Sequence, residues 1–370
     1  MAGRSLFLKF YLICTFFILF IGLYGRVTGQ NDPESGRKCQ VTFGESYHNY
    51  LPGTTMRMRV IFKNNSPDAV KISQELMVLD SAGIKAWNTV INLELLPNGS
   101  ITVPLIVPIP GYTGTYTLTT SDSPGGNNEN VPSFPFNVAE PAKSARLKQI
   151  LVHTPDNEEA LNGFLKAWDI KAPTVSWGQV LLLGKKSRYL YAAGDREIIQ
   201  LVDRSLNREM SVIFLDFGPT GNGNEGNPPK MALPFNITVS FLQVSAPEQS
   251  FVLKPDYKEL TFGFKTNEVK NWNGSYGVTV PATDLRFDGK EVKINAMVTT
   301  GNNPYRFPVL ELLPESGKGK VYLCQLLTDG RLDESAIPPR NKSDLPAYDP
   351  LAVQFLLNLI SATVGDNLLK

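Results

Sequence analysis

The residues best suited to chemistry are a few carboxylates and two histidines. Asp216 lies near the end of an apolar run at 210–218. Read as a strand, that run places Asp216 at a carboxyl end, where α/β sheets gather ligands. His153 ends an earlier run at 147–153, with Asp156 three residues on, so an imidazole general base is conceivable there. Glu225, Glu311 and Asp329 are further carboxylates that could pair with Asp216. Glycosidic-bond hydrolysis needs such a pair, one group on each side of the bond. The plainer readings are a turn-capping Asp216 and a solvent-facing His153. No Ser or Cys stands on a nucleophile elbow. No catalytic residue is assigned, and Asp216 and His153 are the two carried forward as candidates.

Binding chemistry points to aromatic side chains. Trp87, Trp177, Trp272, Tyr112 and Tyr305 fall in or near segments read as loops. Sugars stack on such rings while polar neighbours take their hydroxyls. Trp272, within Lys270-Asn271-Trp272-Asn273-Gly274, and Tyr305 are the ligand-binding candidates. Gly221, Gly223 and Gly226 match the dinucleotide fingerprint. That mechanism needs a helix straight after the glycines, and Asn227-Pro228-Pro229 follows instead. The Gly317-Lys318-Gly319-Lys320 stretch lacks P-loop spacing. Two distant His and two distant Cys in the mature chain give no metal-site spacing, so no cofactor or metal is expected. Cys39 and Cys324 could bridge in an oxidising compartment. The favoured reading keeps them apart, Cys324 as a buried strand thiol and Cys39 in a flexible start.

The elements that must hold these residues fall into two groups. From 41 to 139, apolar runs recur about every ten residues at 56–62, 70–80, 88–95, 101–109, 115–120 and 134–138. Gly, Pro and Asn separate them, which predicts an all-β, immunoglobulin-like sandwich. From 143 to 370 the pattern becomes α/β. Strands are expected at 147–153, 179–184 and 210–218, and helices at 155–168 and 195–206. A β-rich insertion is expected over about 219–305, with strands at 235–244, 258–264 and 290–298. A hairpin from 307 to 326 and a helix beginning at Asp349 close the chain.

Composition narrows the class. The 370 residues include 36 Lys+Arg and 35 Asp+Glu, so no global field draws nucleic acid. Residues 1–30 read as a cleaved signal peptide, with Arg4 and Lys9 ahead of an apolar stretch. The competing reading is a membrane anchor over 6–24. Cleavage removes Arg4, Lys9 and Arg26, leaving 33 basic against 35 acidic residues, a balance of −2. Residues 31–40 are expected to be a flexible start. Sequons stand at Asn64, Asn98, Asn236, Asn273 and Asn341.

Two segments carry a resemblance: Pro-Val-Leu-Glu-Leu-Leu-Pro-Glu-Ser-Gly-Lys-Gly-Lys-Val-Tyr-Leu-Cys-Gln-Leu at 308–326 and Asp-Pro-Leu-Ala-Val-Gln-Phe-Leu-Leu-Asn-Leu-Ile at 349–360. Together they resemble the end of a non-catalytic, class I glutamine-amidotransferase-like module of bacterial β-galactosidase-like and glycoside hydrolase family 2-like proteins. The segment at 41–138 resembles the immunoglobulin-like domain that often precedes it. The resemblance implies a flavodoxin-like second domain. It also implies an accessory or assembly module of carbohydrate degradation, which the signal peptide at 1–30 makes secreted or periplasmic. Its implied partners are carbohydrate or a glycoside hydrolase, and homo-oligomers are expected. Two features depart from the family. No span is free for a catalytic barrel of about 250 residues. The amidotransferase nucleophile is missing, because Cys324 sits mid-strand. A glycoside hydrolase-related enzyme and an adhesion or scaffold protein remain the alternatives.

Overall fold

The structure, a computed structural model, describes residues 39–44, 47–121, 131–173, 178–219, 229–244, 246–289, 292–314, 319–334 and 346–364. The export segment, Trp177, the glycines at 221–226, Glu225, Asn341 and residues 315–318 lie outside them.

The amino-terminal part is a two-sheet sandwich. Its strands are β1 (Cys39–Gly44), β2 (Asn49–Tyr50), β3 (Thr55–Asn64), β4 (Val70–Asp80), β5 (Lys85–Leu95), β6 (Ser100–Pro108), β7 (Gly114–Thr120) and β8 (Ser133–Val138). One sheet has the order β1-β3-β6 and the other β2-β8-β7-β4-β5. Strand β3 shows the cause most clearly. Its Met56, Met58, Val60 and Phe62 face in, while Arg57, Arg59, Ile61 and Lys63 face out. A period of two allows one face to be buried and the other wetted. The expected flexible start at 31–40 is corrected at its end. Cys39 and Gln40 open β1, paired with Asn64 and Lys63, because Cys39, Val41 and Phe43 cover the edge of the core.

The second part is a mixed α/β assembly with strands β9 (Val152–His153), β10 (Val180–Leu183), β11 (Ser211–Phe214), β12 (Lys230–Leu233), β13 (Ile237–Gln243), β14 (Ser250–Leu253), β15 (Glu268–Lys270), β16 (Thr283–Asp288), β17 (Val292–Thr300), β18 (Val309–Pro314) and β19 (Val321–Cys324). Its helices are α1 (Glu159–Ala167), α2 (Lys185–Ala192), α3 (Arg196–Asn207) and α4 (Pro350–Ala362). An eight-stranded sheet runs β15-β14-β17-β18-β19-β11-β10-β9. Strands β9, β10, β11 and β19 are parallel, and the other half is antiparallel. Strands β12, β13 and β16 form a separate antiparallel sheet.

The middle of the chain is therefore not a simple excursion. Strands β14, β15 and β17 extend the main sheet, and β12, β13 and β16 cover one face. Two expected strands are also corrected. Residues 147–153 split into a 3-10 turn at Leu147–Gln149 and the short β9, and 258–264 holds a 3-10 turn at Lys258–Thr261. In these two turns Leu147 and Leu260 fill the core without a strand partner.

Strands β10 and β11 are buried on both faces, so their residues divide between two cores. Val180, Leu182 and Ile213 face α1 and α4, while Leu181, Leu183, Val212 and Phe214 face α3 and the small sheet. The β9-α1-β10 and β10-α3-β11 crossovers step the same way along the sheet but pack on opposite faces. They therefore have opposite hands, and one departs from the right-handed rule.

Helix α4 is buried nearly all round, as an apolar central helix must be. Asp349 caps it, with Pro350 in its first turn. Its two mid-helix amides tie down loops. Gln354 exchanges hydrogen bonds with Ala142 at 2.8 and 3.1 Å, and Asn358 donates to Leu260 O and Phe262 O.

Candidate functional site

Four parallel strands end on one edge of the sheet, and Asp216 lies just past the end of β11. Its φ of 48° places it in the left-handed region, which Asp tolerates better than most residues. Its Oδ2 accepts from Thr328 Oγ1 at 2.8 Å, and its Oδ1 from the Asp329 backbone N–H at 3.1 Å. The carboxylate thus ties the exit of β11 to the loop after β19. Burial pushes its pKa up to about 6, against the lowering effect of those two hydrogen bonds.

Basic groups flank it from the start of α2. Lys185 Nζ lies 3.1 Å from Asp329 Oδ2, and Arg188 Nη1 donates to Gly218 O at 2.7 Å. Arg188 is 3% exposed, and burial lowers its pKa. Its guanidinium also lies 4.7 Å from the Tyr189 ring centroid. Glu158 Oε1 accepts from the Ser187 N–H at 2.6 Å and so satisfies the first turn of α2. Gly184 is required between them, since a Cβ there would collide with the Glu158 carboxylate and Leu161.

The structure thus brings Asp216 and Asp329 together, but with their acceptors engaged. Glu311 stands apart, on β18 opposite Tyr322. It accepts from Tyr322 Oη at 2.9 Å, Lys320 Nζ at 3.0 Å and Asn295 Nδ2 at 3.0 Å. Burial opposes its ionisation, yet these donors outweigh it and the pKa is lowered. His153 lines a cavity of about 430 Å³ with Thr154, Asp156, Asn162 and Lys166. Burial lowers its pKa, with Asp156 pulling the other way, so the ring is neutral near pH 7.

The aromatic candidates separate. Trp272 is 0% exposed, with Phe251 edge-on at 5.6 Å and the Arg331 guanidinium 5.7 Å from its centroid. Its expected role as a stacking platform is corrected, because neither ring face is open. Tyr305 is 84% exposed and Tyr112 83%. Cys39 and Cys324 are free thiols, and burial raises the pKa of each. Among the described residues no three His, Cys, Asp or Glu converge on a metal position. No helix among them is long and apolar enough to cross a membrane.

A second polar cluster joins the two parts of the chain. Asp349 Oδ2 accepts from Asn49 Nδ2 at 2.7 Å and from the Asn273 N–H at 2.6 Å. Its Oδ1 accepts from the Leu351 and Ala352 N–H groups. Asn273 Oδ1 takes the His48 and Asn49 N–H groups, while its Nδ2 donates to Asn49 O and Tyr348 O. Sequence reasoning missed this junction, together with Glu158, Lys185, Arg188 and Thr328. The Gly-Lys-Lys directly after the Leu181–Leu183 run was the signal for Lys185.

No family model matches the chain, and no curated protein matches it. Solved structures show distant partial likeness. A β-glucosidase from Listeria innocua in complex with gluconolactone is 13% identical over 32% of this chain and 20% of that one, with a TM-score of 0.23. The CARDB domain of PF1109 from Pyrococcus furiosus is 18% identical over 27% and 94%, with a TM-score of 0.22. The alkylpurine DNA glycosylase AlkC of Pseudomonas fluorescens, bound to DNA containing an abasic site analog, is 14% identical over 28% and 31%, with a TM-score of 0.21. The chain spans about a third or less of the glycosylase and the β-glucosidase.

Proposed function

We propose that this chain is a secreted, non-catalytic accessory or assembly module of extracellular carbohydrate degradation. One observation carries the non-catalytic part. The polar groups at the carboxyl ends of β10, β11 and β19 are engaged with one another, Asp216 with Thr328 and Asp329, Lys185 with Asp329, and Arg188 with Gly218. These strand ends hold their own loops together, and His153, at the end of β9, stands outside that network. The link to carbohydrate rests on the sequence resemblance at 308–326 and 349–360.

In this reading the sandwich is immunoglobulin-like. Tyr116 Oη donates to Tyr112 O at 3.0 Å, a tie like the tyrosine corner of such domains. The second part is a flavodoxin-like, amidotransferase-like domain, supported by four parallel strands with helices on both faces. Cys324, 0% exposed within β19, cannot serve as its nucleophile. The buried Asn49–Asn273–Asp349 junction suits a rigid spacer that sets one geometry between attached partners.

A hydrolase is the second reading, favoured by Asp216, whose pKa of about 6 suits a general acid beside a second carboxylate. A polysaccharide panel separates the two. The module binds glycan or a hydrolase and releases no sugar, whereas the enzyme releases sugar and loses that activity in Asp216→Asn.

A further inference from the structure

The two outer faces of the sandwich differ in charge. On the five-stranded sheet the cations are matched, with Lys85 2.7 Å from Glu75 and Lys71 4.0 Å from Glu94. On the three-stranded sheet they are not. Arg57, Arg59 and Lys63 all project from the outer face of β3. Their neighbours follow from the strand register. Arg57 is opposite Ile106 on β6, Arg59 is between Gly44 and Pro104, and Lys63 is between Gln40 and Ser100. None is charged, and β1, β3 and β6 contain no Asp or Glu. Among the described residues none of the three cations has a carboxylate within 4.0 Å. This basic stripe lies on a chain with nearly balanced charge, so it is local.

We propose that this face is a docking surface for an anionic polysaccharide, a chain bearing uronate or sulfate groups. The inference rests on the reading of the chain as a module of extracellular carbohydrate degradation and names the ligand class. Charge complementarity supplies the first argument. Alternate strand residues stand about 7 Å apart, so Arg57 to Lys63 forms a row about 20 Å long. A ribbon-like polyanion lying along β3 meets all three cations. The surface between them supplies the second argument. Ile61, Pro104 and Ile106 make low apolar strips against which the C–H faces of sugar rings can lie. No aromatic side chain projects outward from these strands, since Phe43 and Phe62 face the core. Insertion at a membrane interface, base stacking on a nucleic acid and ring stacking by neutral sugars all use such rings, so this face selects by charge, which suits an acidic glycan held through its uronate or sulfate groups.

The test measures binding of the mature chain to polygalacturonate and chondroitin sulfate, with dextran and phosphatidylserine vesicles as alternatives. Expected is binding to both polyanions that weakens with salt, with a log–log slope of about three at most. The triple variant Arg57→Thr, Arg59→Thr, Lys63→Thr should lose at least about tenfold in affinity with unchanged far-UV circular dichroism. Arg57→Lys with Arg59→Lys should keep it. Polyanion binding that survives the triple substitution overturns the proposal. So does preference for the vesicles. Dextran binding without polyanion binding overturns the stripe but leaves the module reading standing. Sugar release from any of these glycans, lost in Asp216→Asn, overturns the module reading as well.

Discussion

Single side chains show how polar residues serve architecture here. Asp216 is the clearest case, because its two oxygens hold the loop after β19. Its folded pKa is raised from 3.8 to about 6. The folded state therefore binds a proton that the unfolded state releases. The stability this contributes is full below about pH 3.8 and is lost as pH rises through about 6. Asp216→Asn keeps an acceptor for the Asp329 N–H and removes the partly buried charge. Chemical denaturation should find the variant at least as stable as the wild type near pH 7 and flatter in its pH dependence between about 4 and 6. A variant that is weakest at neutral pH would mean that the carboxylate charge stabilises the fold. At the junction, Asn49→Ala removes a donor to the buried Asp349. A loss of about 1–3 kcal/mol is expected in urea titration. His153 and Asp216 were both legible in the sequence as residues at strand ends. For Asp216, Asp329 was legible only as one of several carboxylates that could pair with it, and Thr328 was not legible at all, because the two come from a loop 113 and 112 residues away.

Among elements, strands with strict alternation were the most legible. Strand β3 runs close to its expected bounds, and α4 begins where Asp349 and Pro350 signal a helix start. Runs such as 147–153 and 258–264 misled, because a few apolar anchors can fill a core without a continuous strand. Helix α2 was also missed, since its buried residues include Ser187 and Arg188 instead of an apolar stripe. Periodicity gives no information on which face a crossover takes, so the opposite packing of α1 and α3 could not be read. The turn from β10 to α2 can be tested directly. Gly184→Ala pushes a Cβ into Glu158 and Leu161, and a loss of about 1–3 kcal/mol is expected by thermal or chemical denaturation. A neutral result would show that Glu158 is free to move away.

Across the whole molecule, burial decides which surface features remain usable. Asn64 and Asn273 are 0% and 3% exposed, and their amides are engaged. Asn98 and Asn236 are exposed. Expressed in a glycosylating host, the folded protein should carry glycan at Asn98 and Asn236 and not at Asn64 or Asn273, as read by peptide mass spectrometry. Glycan at Asn273 in folded protein would contradict the junction described here. The same logic moves the carbohydrate question from Trp272, locked in the core, to surfaces such as the outer face of β3. The proposed function is engagement of glycan, or of a glycan-degrading partner, without cutting. The most direct measurement incubates the purified protein with a polysaccharide panel and records retained protein and new reducing ends together. Expected is retention on at least one acidic polysaccharide with no reducing ends above the buffer control. Reducing ends that appear with the wild type and vanish with Asp216→Asn would contradict it.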